Sequence, residues 1–449
     1  MPGTRRVYSP RTEEQEKTGP TPAGRGTNDS GHSSPSLDRM RSVELFAGAG
    51  GLALGCEHAG FLSQAVIEWD RWACDTIRQN KADGHRLVRD WNVLEGDVRF
   101  VDWSGITGPI DLVTGGPPCQ PFSGGGKHQA ADDERDMFPA ATDVVRRLAP
   151  RAFLFENVRG LTRARFADYY EYVQLRLRFP EDRAEPDESW FHHLERLRAD
   201  ISQASSDLTY AVIAHHVNAA NYGVPQQRHR VFIVGFRSDQ NVHWTFPAPT
   251  HSRDALLHDQ WITGDYWERH RVPKADRRGR PSESALKRLR ELDRAALGLP
   301  WRTVRDAISD LPEPTPEGSP KHLNHILQPG ARQYKGHTGS PIDLPAKTLK
   351  AGAHGVPGGE NMLLRPDGSV RYFTVRESAR LQAFPDDYEL HGAWGEAMRQ
   401  LGNAVPVTLA HVVAKSVAAS LVAANGSIIA LPAGNPSGIL AGYVDTRTG

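Results

Sequence analysis

A chain of 449 residues has room for two or three domains of roughly 100–200 residues each and for a large buried core. Its 54 Lys and Arg balance 54 Asp and Glu, which excludes a long-range attraction to polyanions and leaves any such affinity to local patches. The three cysteines, Cys56, Cys74 and Cys119, show no Cys-x-x-Cys spacing, which argues against a disulfide framework or a cysteine-rich zinc site and for a reducing, cytoplasmic compartment. No apolar run approaches the roughly 18 residues of a membrane span and no secretion leader is evident, so no membrane partner is expected.

Taken in chain order, residues 1–40 are rich in Pro, Gly, Ser, Thr and charge and are expected to form a disordered tail. From Arg41 onward, short β-branched runs at 43–46, 65–68, 110–113, 153–155, 210–213 and 231–234 alternate with helical stretches. That rhythm predicts a parallel, doubly wound α/β sheet of Rossmann-like type over 41–240. A charged, aromatic stretch at about 161–207, helically spaced over 190–201, reads as a surface helical insertion. Over 241–370 the strand rhythm fades and Pro, Gly, His and Arg accumulate, as in a smaller, irregular second domain. Within it, residues 269–294 hold ten Lys and Arg against four Asp and Glu. Such a patch either tracks phosphates or is the solvated face of a helix over about 285–297. The α/β pattern returns over 371–424, with a helix at 407–422, before a loose tail at 425–449.

The turn of Phe46, Ala47, Gly48, Ala49, Gly50 and Gly51 follows a strand and opens a helix at Leu52. Glycines there let the backbone turn sharply and approach a ligand closely. Glu68 ends the next strand, and a carboxylate at that position can accept from ribose hydroxyls. Trp69 offers an apolar face to a purine, and Asp97, before Val98, adds a carboxylate for an exocyclic amine. With no Lys or Arg in the turn, a nucleoside without pyrophosphate fits better than a dinucleotide, which favours S-adenosylmethionine.

Cys119 follows the strand at 110–113 in a loop of Gly115, Gly116, Pro117 and Pro118, at a strand end where open α/β sheets place ligands. Cys56 and Cys74 look like packing residues. Glu156, in the run Glu156, Asn157, Val158, brings a carboxyl to the same rim. A carboxyl sharing a proton with a pyrimidine ring nitrogen makes carbon 6 electrophilic toward a thiolate. Addition then leaves carbon 5 electron-rich and able to take a methyl group from a sulfonium.

With these residues in place, the chain resembles the DNA (cytosine-5) methyltransferases of bacterial restriction–modification systems from about residue 41 to 422. Seven blocks carry the resemblance in one order: the glycine turn, Glu68, the loop of Pro117, Pro118, Cys119 and Gln120, the run at Glu156, the block 226–230, the block 376–385 and the block 400–406. The resemblance implies the methyltransferase fold with a target-recognition domain over 241–370. It implies a cofactor pocket of Phe46, Ala47, Gly48, Gly50, Gly51, Leu52, Glu68, Trp69, Asp97, Val98 and Pro117, closed by Asn403 and Val405. It also implies that Cys119 attacks a flipped-out cytosine, that Glu156 holds its ring nitrogen and amine, and that Arg230, with Arg228 nearby, binds the ring carbonyl or a flanking phosphate. The block 376–385 is expected to support the fold. The implied partners are S-adenosylmethionine, giving S-adenosylhomocysteine, with no metal, and double-stranded DNA, read by 241–370 with 344–349 and 353–355 facing it. A restriction endonuclease of the same specificity, a monomer and a nucleoid-associated bacterial protein complete the expectation. The nearest rival is a tRNA cytosine-5 methyltransferase. A catalytically dead DNA-binding regulator and a nicotinamide-dependent oxidoreductase are further rivals.

Overall fold

The structure is a computed structural model that describes residues 39–118, 136–200, 207–335, 337–351 and 361–427. Both expected tails lie largely outside these residues, as do Cys119, Gln120 and 353–355.

Seven strands form one sheet: β1 (Arg41–Leu45), β2 (Leu62–Glu68), β3 (Val93–Glu95), β4 (Leu112–Gly115), β5 (Ala152–Val158), β6 (Tyr210–Asn218) and β7 (His229–Arg237). Their order is β3-β2-β1-β4-β5-β7-β6. The pairs β1–β2, β1–β4, β2–β3 and β4–β5 are parallel. β7 runs antiparallel to both β5 and β6, so the sheet is parallel in the main but not throughout. The reason is the connection: β6 extends to Asn218 and β7 begins at His229, and a parallel crossover needs a dozen or more residues, usually with a helix. The short link that joins the two strands, residues 219–228, contains a tight turn, Ala219–Tyr222, closed by Gly223 at φ 83°.

Strand residues alternate between two cores because successive side chains leave opposite faces. Phe153 and Phe155 of β5 pack with α3 (Phe138–Leu148), α4 (Ala167–Arg178) and α5 (Trp190–Asp200). Ala152 and Leu154 face the other way, toward α1 (Gly51–His58) and the long C-terminal helix. A third cluster joins α1 and α2 (Arg71–Ala82) to Tyr388 and Leu401. The surface insertion expected at 161–207 is therefore corrected. α4 buries Tyr169, Tyr172 and Val173 in the principal core, and α5 buries Leu194 and Leu197 there, so both cover the sheet.

Between β7 and the returning segment lie short elements. Helices α6 (Arg253–His258), α7 (Asp265–Arg269), α8 (Glu283–Glu291) and α9 (Val304–Ile308) accompany the two-residue pair β8 (His251–Ser252) and β9 (Leu299–Pro300). A small sheet follows, of β10 (Ser340–Pro341), β11 (Met362–Leu364) and β12 (Val370–Tyr372). Leu256, Tyr266, Trp267 and Val272 make a local core, and Ala346, Leu349 and Leu363 pack with Phe373 and Leu381. Three helices close the described part of the chain: α10 (Val375–Leu381), α11 (Trp394–Asn403) and α12 (Val407–Ser427). Arg376 donates to the carbonyls of Leu323, Pro385 and Tyr388, and Glu377 caps α10 and pairs with Arg371.

The expectation that nothing in the chain is apolar enough to span a membrane is also corrected. The stretch Trp394–Asn425 contains a helix that qualifies by length and composition. Leu409, Val413, Val417 and Leu421, at four-residue spacing on α12, have no exposure and belong to the core that includes α1. The two helices meet so closely that a Cβ on Gly55 would lie 2.4 Å from that of Ala410.

Candidate active site at the strand ends

The chain runs β1, β2, β3 to one side of β1 and returns as β4 on the other, so the carboxyl ends of β1 and β4 flank the point where open α/β sheets leave a crevice. Cross-strand register brings Leu45, Ile67 and Gly115 level, then Glu68 with Glu95, and Gly115 with Phe155. The residues that follow each of these form one rim.

The glycine turn is built at that rim. Gly48 and Gly50 hold φ of 53° and 86°, and Phe46, at 54°, shares the left-handed region. Gly50 then caps α1. A Cβ on Gly48 would meet nothing within 4 Å, as would one on Gly96, so the backbone beside both residues is open to a ligand. Gly51 is there for the opposite reason: its Cβ would lie 2.4 Å from the Val405 carbonyl oxygen. That contact brings residues 404–405 against the turn. Asn403 is exposed next to it. Buried Tyr388 fixes the turn further by donating to the Ala49 carbonyl at 2.9 Å. No sequence signal connects residues 339 positions apart.

Glu68 is 7% exposed. Its Oε2 accepts from Gly48 N–H at 2.7 Å, and its Oε1 accepts from Trp69 and Asp70 N–H at 2.9 and 2.8 Å. Burial pushes the carboxyl up and these backbone donors pull it back. A carboxylate accepts about four hydrogen bonds, so Glu68 is held rigidly with capacity left on Oε2. Trp69 is 72% exposed and Phe100 82%, two apolar faces at the same edge. Asp97 caps the turn Val98–Phe100 and is paired by Arg99, whose guanidinium holds the carboxyl below its ordinary range. The sequence reading missed Arg99, although an acid at a turn cap two residues ahead of an arginine is a visible signal. Ala47, Leu52, Val98 and Pro117 are buried and shape the rim from beneath.

The loop toward Cys119 is fastened before it leaves the described residues. Asn157 Nδ2 donates to the Pro117 carbonyl at 2.9 Å, and Met137 N–H donates to that of Pro118 at 3.2 Å. A Cβ on Gly116 would sit 3.6 Å from Glu156 Oε2, so this loop passes directly beside the carboxyl. Asn157, which had no assigned role, is the brace between them. Glu156 pairs with Phe232 and Val158 with Arg230 across β5 and β7. Glu156 and Arg230 are thus diagonal neighbours on one face, with Arg230 Nε 2.6 Å from Glu156 Oε1 and both side chains nearly buried. This ion pair occupies Oε1, and Oε2 is the oxygen turned toward the loop at Gly116.

Arg228 does not join this site. It has no exposure, and its guanidinium donates to the carbonyls of Leu349 at 3.1 Å and Gly402 at 2.7 Å. It precedes β7, turns inward and staples three distant segments, being neither a base-binding residue nor a solvated charge. Part of the segment 344–349 is turned inward in the same way, although Leu344 stays exposed. Gln227 N–H bonds the Ala346 carbonyl, Gln226 accepts from Leu349 N–H, and Ala346 and Leu349 are buried. Four of the ten basic residues in 269–294 are taken up in ion pairs: Arg269, Arg280, Arg288 and Arg294 pair with Asp306, Glu283, Asp254 and Asp259. The expected helix there is shorter, at Glu283–Glu291, and buries Leu286 and Leu289. Among the described residues, no group of three or more His, Cys, Asp or Glu could hold a metal ion.

Comparison with known proteins follows this geometry. A family model described as C-5 cytosine-specific DNA methylase matches residues 40–177 and 191–419, and the gap between the two matches covers the link from α4 to α5. The chain is 33% identical to the Type II methyltransferase M.PspPI of Psychrobacter sp. over 85% of its length and 80% of that protein. It is 30% identical to M.NgoMIV of Neisseria gonorrhoeae over 85% of its length and 98% of that protein. For M.Eco47II of Escherichia coli the values are 31%, 84% and 78%.

Proposed function

The chain belongs to the C-5 cytosine-specific DNA methylase family and methylates cytosine in DNA at carbon 5, and from that premise we propose how its rim divides the work. The observation that carries the reading is the buried Glu156 carboxyl, ion-paired with Arg230 and set beside the loop that runs into Cys119. The family implies use of S-adenosylmethionine, which when bound supplies an electrophilic methyl group on a sulfonium. The open backbone at Gly48 and Gly96, the spare acceptor on Glu68 and the exposed faces of Trp69 and Phe100 fit its nucleoside.

Cys119 adds as thiolate to carbon 6 of the cytosine, and Glu156 supplies a proton toward the ring nitrogen, so that electrons move to carbon 5. Arg230 keeps the Glu156 carboxyl in place and offers its remaining N–H groups to the ring carbonyl. Once carbon 5 carries the methyl group, loss of its proton and expulsion of the thiolate restore the aromatic ring. Carbons 5 and 6 lie inside the base stack, so the target base leaves the duplex first, at a cost of a few kcal/mol.

Residues 241–370 form the target-recognition region in this reading, supported by their own small cores at one side of the rim. The relatives named as Type II methyltransferases give sequence-specific methylation in a restriction–modification setting, and they do not favour the tRNA alternative. An endonuclease of the same specificity, a monomeric state and a cytoplasmic location with the nucleoid complete the proposal.

Methyl transfer from tritiated S-adenosylmethionine tests it: duplex DNA should be labelled and tRNA should not. Bisulfite sequencing of a host genome expressing the protein should then place every modified cytosine in one sequence context. Label on tRNA alone, or methylation scattered without context, would contradict it.

A further inference from the structure

A second concave feature lies further along the same rim, past Glu156. It is a cleft of about 840 Å³ lined by Arg159, Arg163, His216, Asn218, Asn221 and His229, together with Thr162. The sheet explains why these residues meet. Arg159 and Thr162 bound the turn that leaves β5, Asn218 ends β6 and His229 begins β7, with Asn218 and His229 in register. Because β7 is antiparallel, its first residues stand at the carboxyl ends of β5 and β6, where Arg230 also reaches Glu156.

The charge in this cleft is of one sign. Its lining contains no aspartate or glutamate. Arg159 and Arg163 are exposed, and among the described residues neither has a carboxylate partner. In the stretch 269–294, by contrast, four of the eight arginines are held in ion pairs. Burial and then the charge of Arg159 hold the imidazoles of His216 and His229 below their ordinary pKa, so each enters as a neutral ring with one N–H to donate. Two unpaired guanidiniums with hydroxyl, amide and imidazole donors are the groups that bind phosphate oxygens. The far wall leads on to 241–370: Thr250 N–H donates to the Asn221 carbonyl and Trp301 Nε1 to its side chain.

We propose that this cleft binds backbone phosphates of the substrate duplex beside the flipped-out cytosine, with Arg159 and Arg163 as its two ionic contacts. The proposal rests on the DNA methylation reading. It assigns an electrostatic footing on DNA to the sheet rim, apart from the basic stretch that the sequence made conspicuous. Phosphate contacts fix register without reading bases, so the cleft would hold the strand on which Glu156 and Arg230 act.

The test is the salt dependence of duplex binding by the full chain and by an Arg159→Gln/Arg163→Gln variant, with an Arg159→Lys/Arg163→Lys variant alongside. Each lost phosphate contact removes about 0.9 from the slope of log affinity against log salt. The glutamine variant should therefore show a slope shallower by about two and weaker binding at low salt, with an unchanged sequence context of methylation. The lysine variant should keep the parental slope. S-adenosylmethionine affinity and melting temperature should not move in either. A parental slope in the glutamine variant overturns the assignment while leaving the methylation reading intact. So does a variant that loses only the binding of added inorganic phosphate, since the cleft would then serve the free anion. A parent protein that neither binds nor methylates duplex DNA would remove both.

Discussion

Replacing Glu156 by glutamine is expected to lower methyl transfer at saturating DNA and cofactor by about 10²- to 10⁴-fold, the range for loss of a positioned proton donor. Glutamine keeps the size of the side chain and part of its hydrogen bonding but cannot supply the proton. The substitution also leaves Arg230, 2.6 Å away and mostly buried, without its counter-ion, so the melting temperature should fall as well. Glu156→Asp separates the two effects. Aspartate retains the negative charge for Arg230 and should melt near the parent. Its carboxyl is withdrawn by one methylene, roughly 1.5 Å, and a displacement of about 1 Å can cost 10²-fold in rate. Single-turnover methylation assays with thermal melts on both variants check this. An aspartate variant with the parental rate, or a glutamine variant that methylates normally, would remove Glu156 from the chemistry.

Gly51→Ala should act through packing. The added methyl group meets the Val405 carbonyl oxygen at 2.4 Å, with Ala404 Cβ and Phe384 Cζ at 3.3 Å. The nearest obstacle is backbone, so it cannot rotate away, and overpacking of this kind costs about 1–3 kcal/mol. The strain falls where the glycine turn meets residues 404–405, so cofactor affinity should weaken together with the melting temperature. Gly48→Ala is the contrast. Space is open at Gly48 but φ is +53°, so the penalty there is conformational and confined to the turn. Calorimetric titration with S-adenosylmethionine and thermal melts measure both. A Gly51→Ala protein that melts and binds like the parent would mean that the turn and residues 404–405 are not held together as described.

The rim was legible because each of its chemical groups lies within a few residues of an apolar strand, and strand runs are a local pattern. Glu68, Trp69 and Glu156 could be placed in this way, whereas the role of Arg230 came from the resemblance. What the sequence concealed depends on contacts far apart in the chain. Arg228 stands two residues before Arg230, yet the carbonyls that bury it belong to Leu349 and Gly402. The arginines at 269, 288 and 294 looked available because Asp306, Asp254 and Asp259 lie 34 to 37 residues away. The reversal of β7 was hidden because the apolar runs at 210–213 and 231–234 understate strands that extend to Asn218 and from His229, which left an apparent gap wide enough for a crossover.

The most direct test of the central claim is a covalent trap. Duplex DNA carrying 5-fluorocytosine at the methylated position, incubated with the full chain and S-adenosylmethionine, should yield a denaturation-resistant adduct. Peptide mapping should find that adduct on Cys119, because fluorine on carbon 5 blocks the last elimination, and Cys119→Ala should abolish it. Absence of any adduct in protein shown to bind cofactor and to methylate the same site in unmodified DNA would contradict nucleophilic attack by Cys119, as would an adduct mapped to another residue.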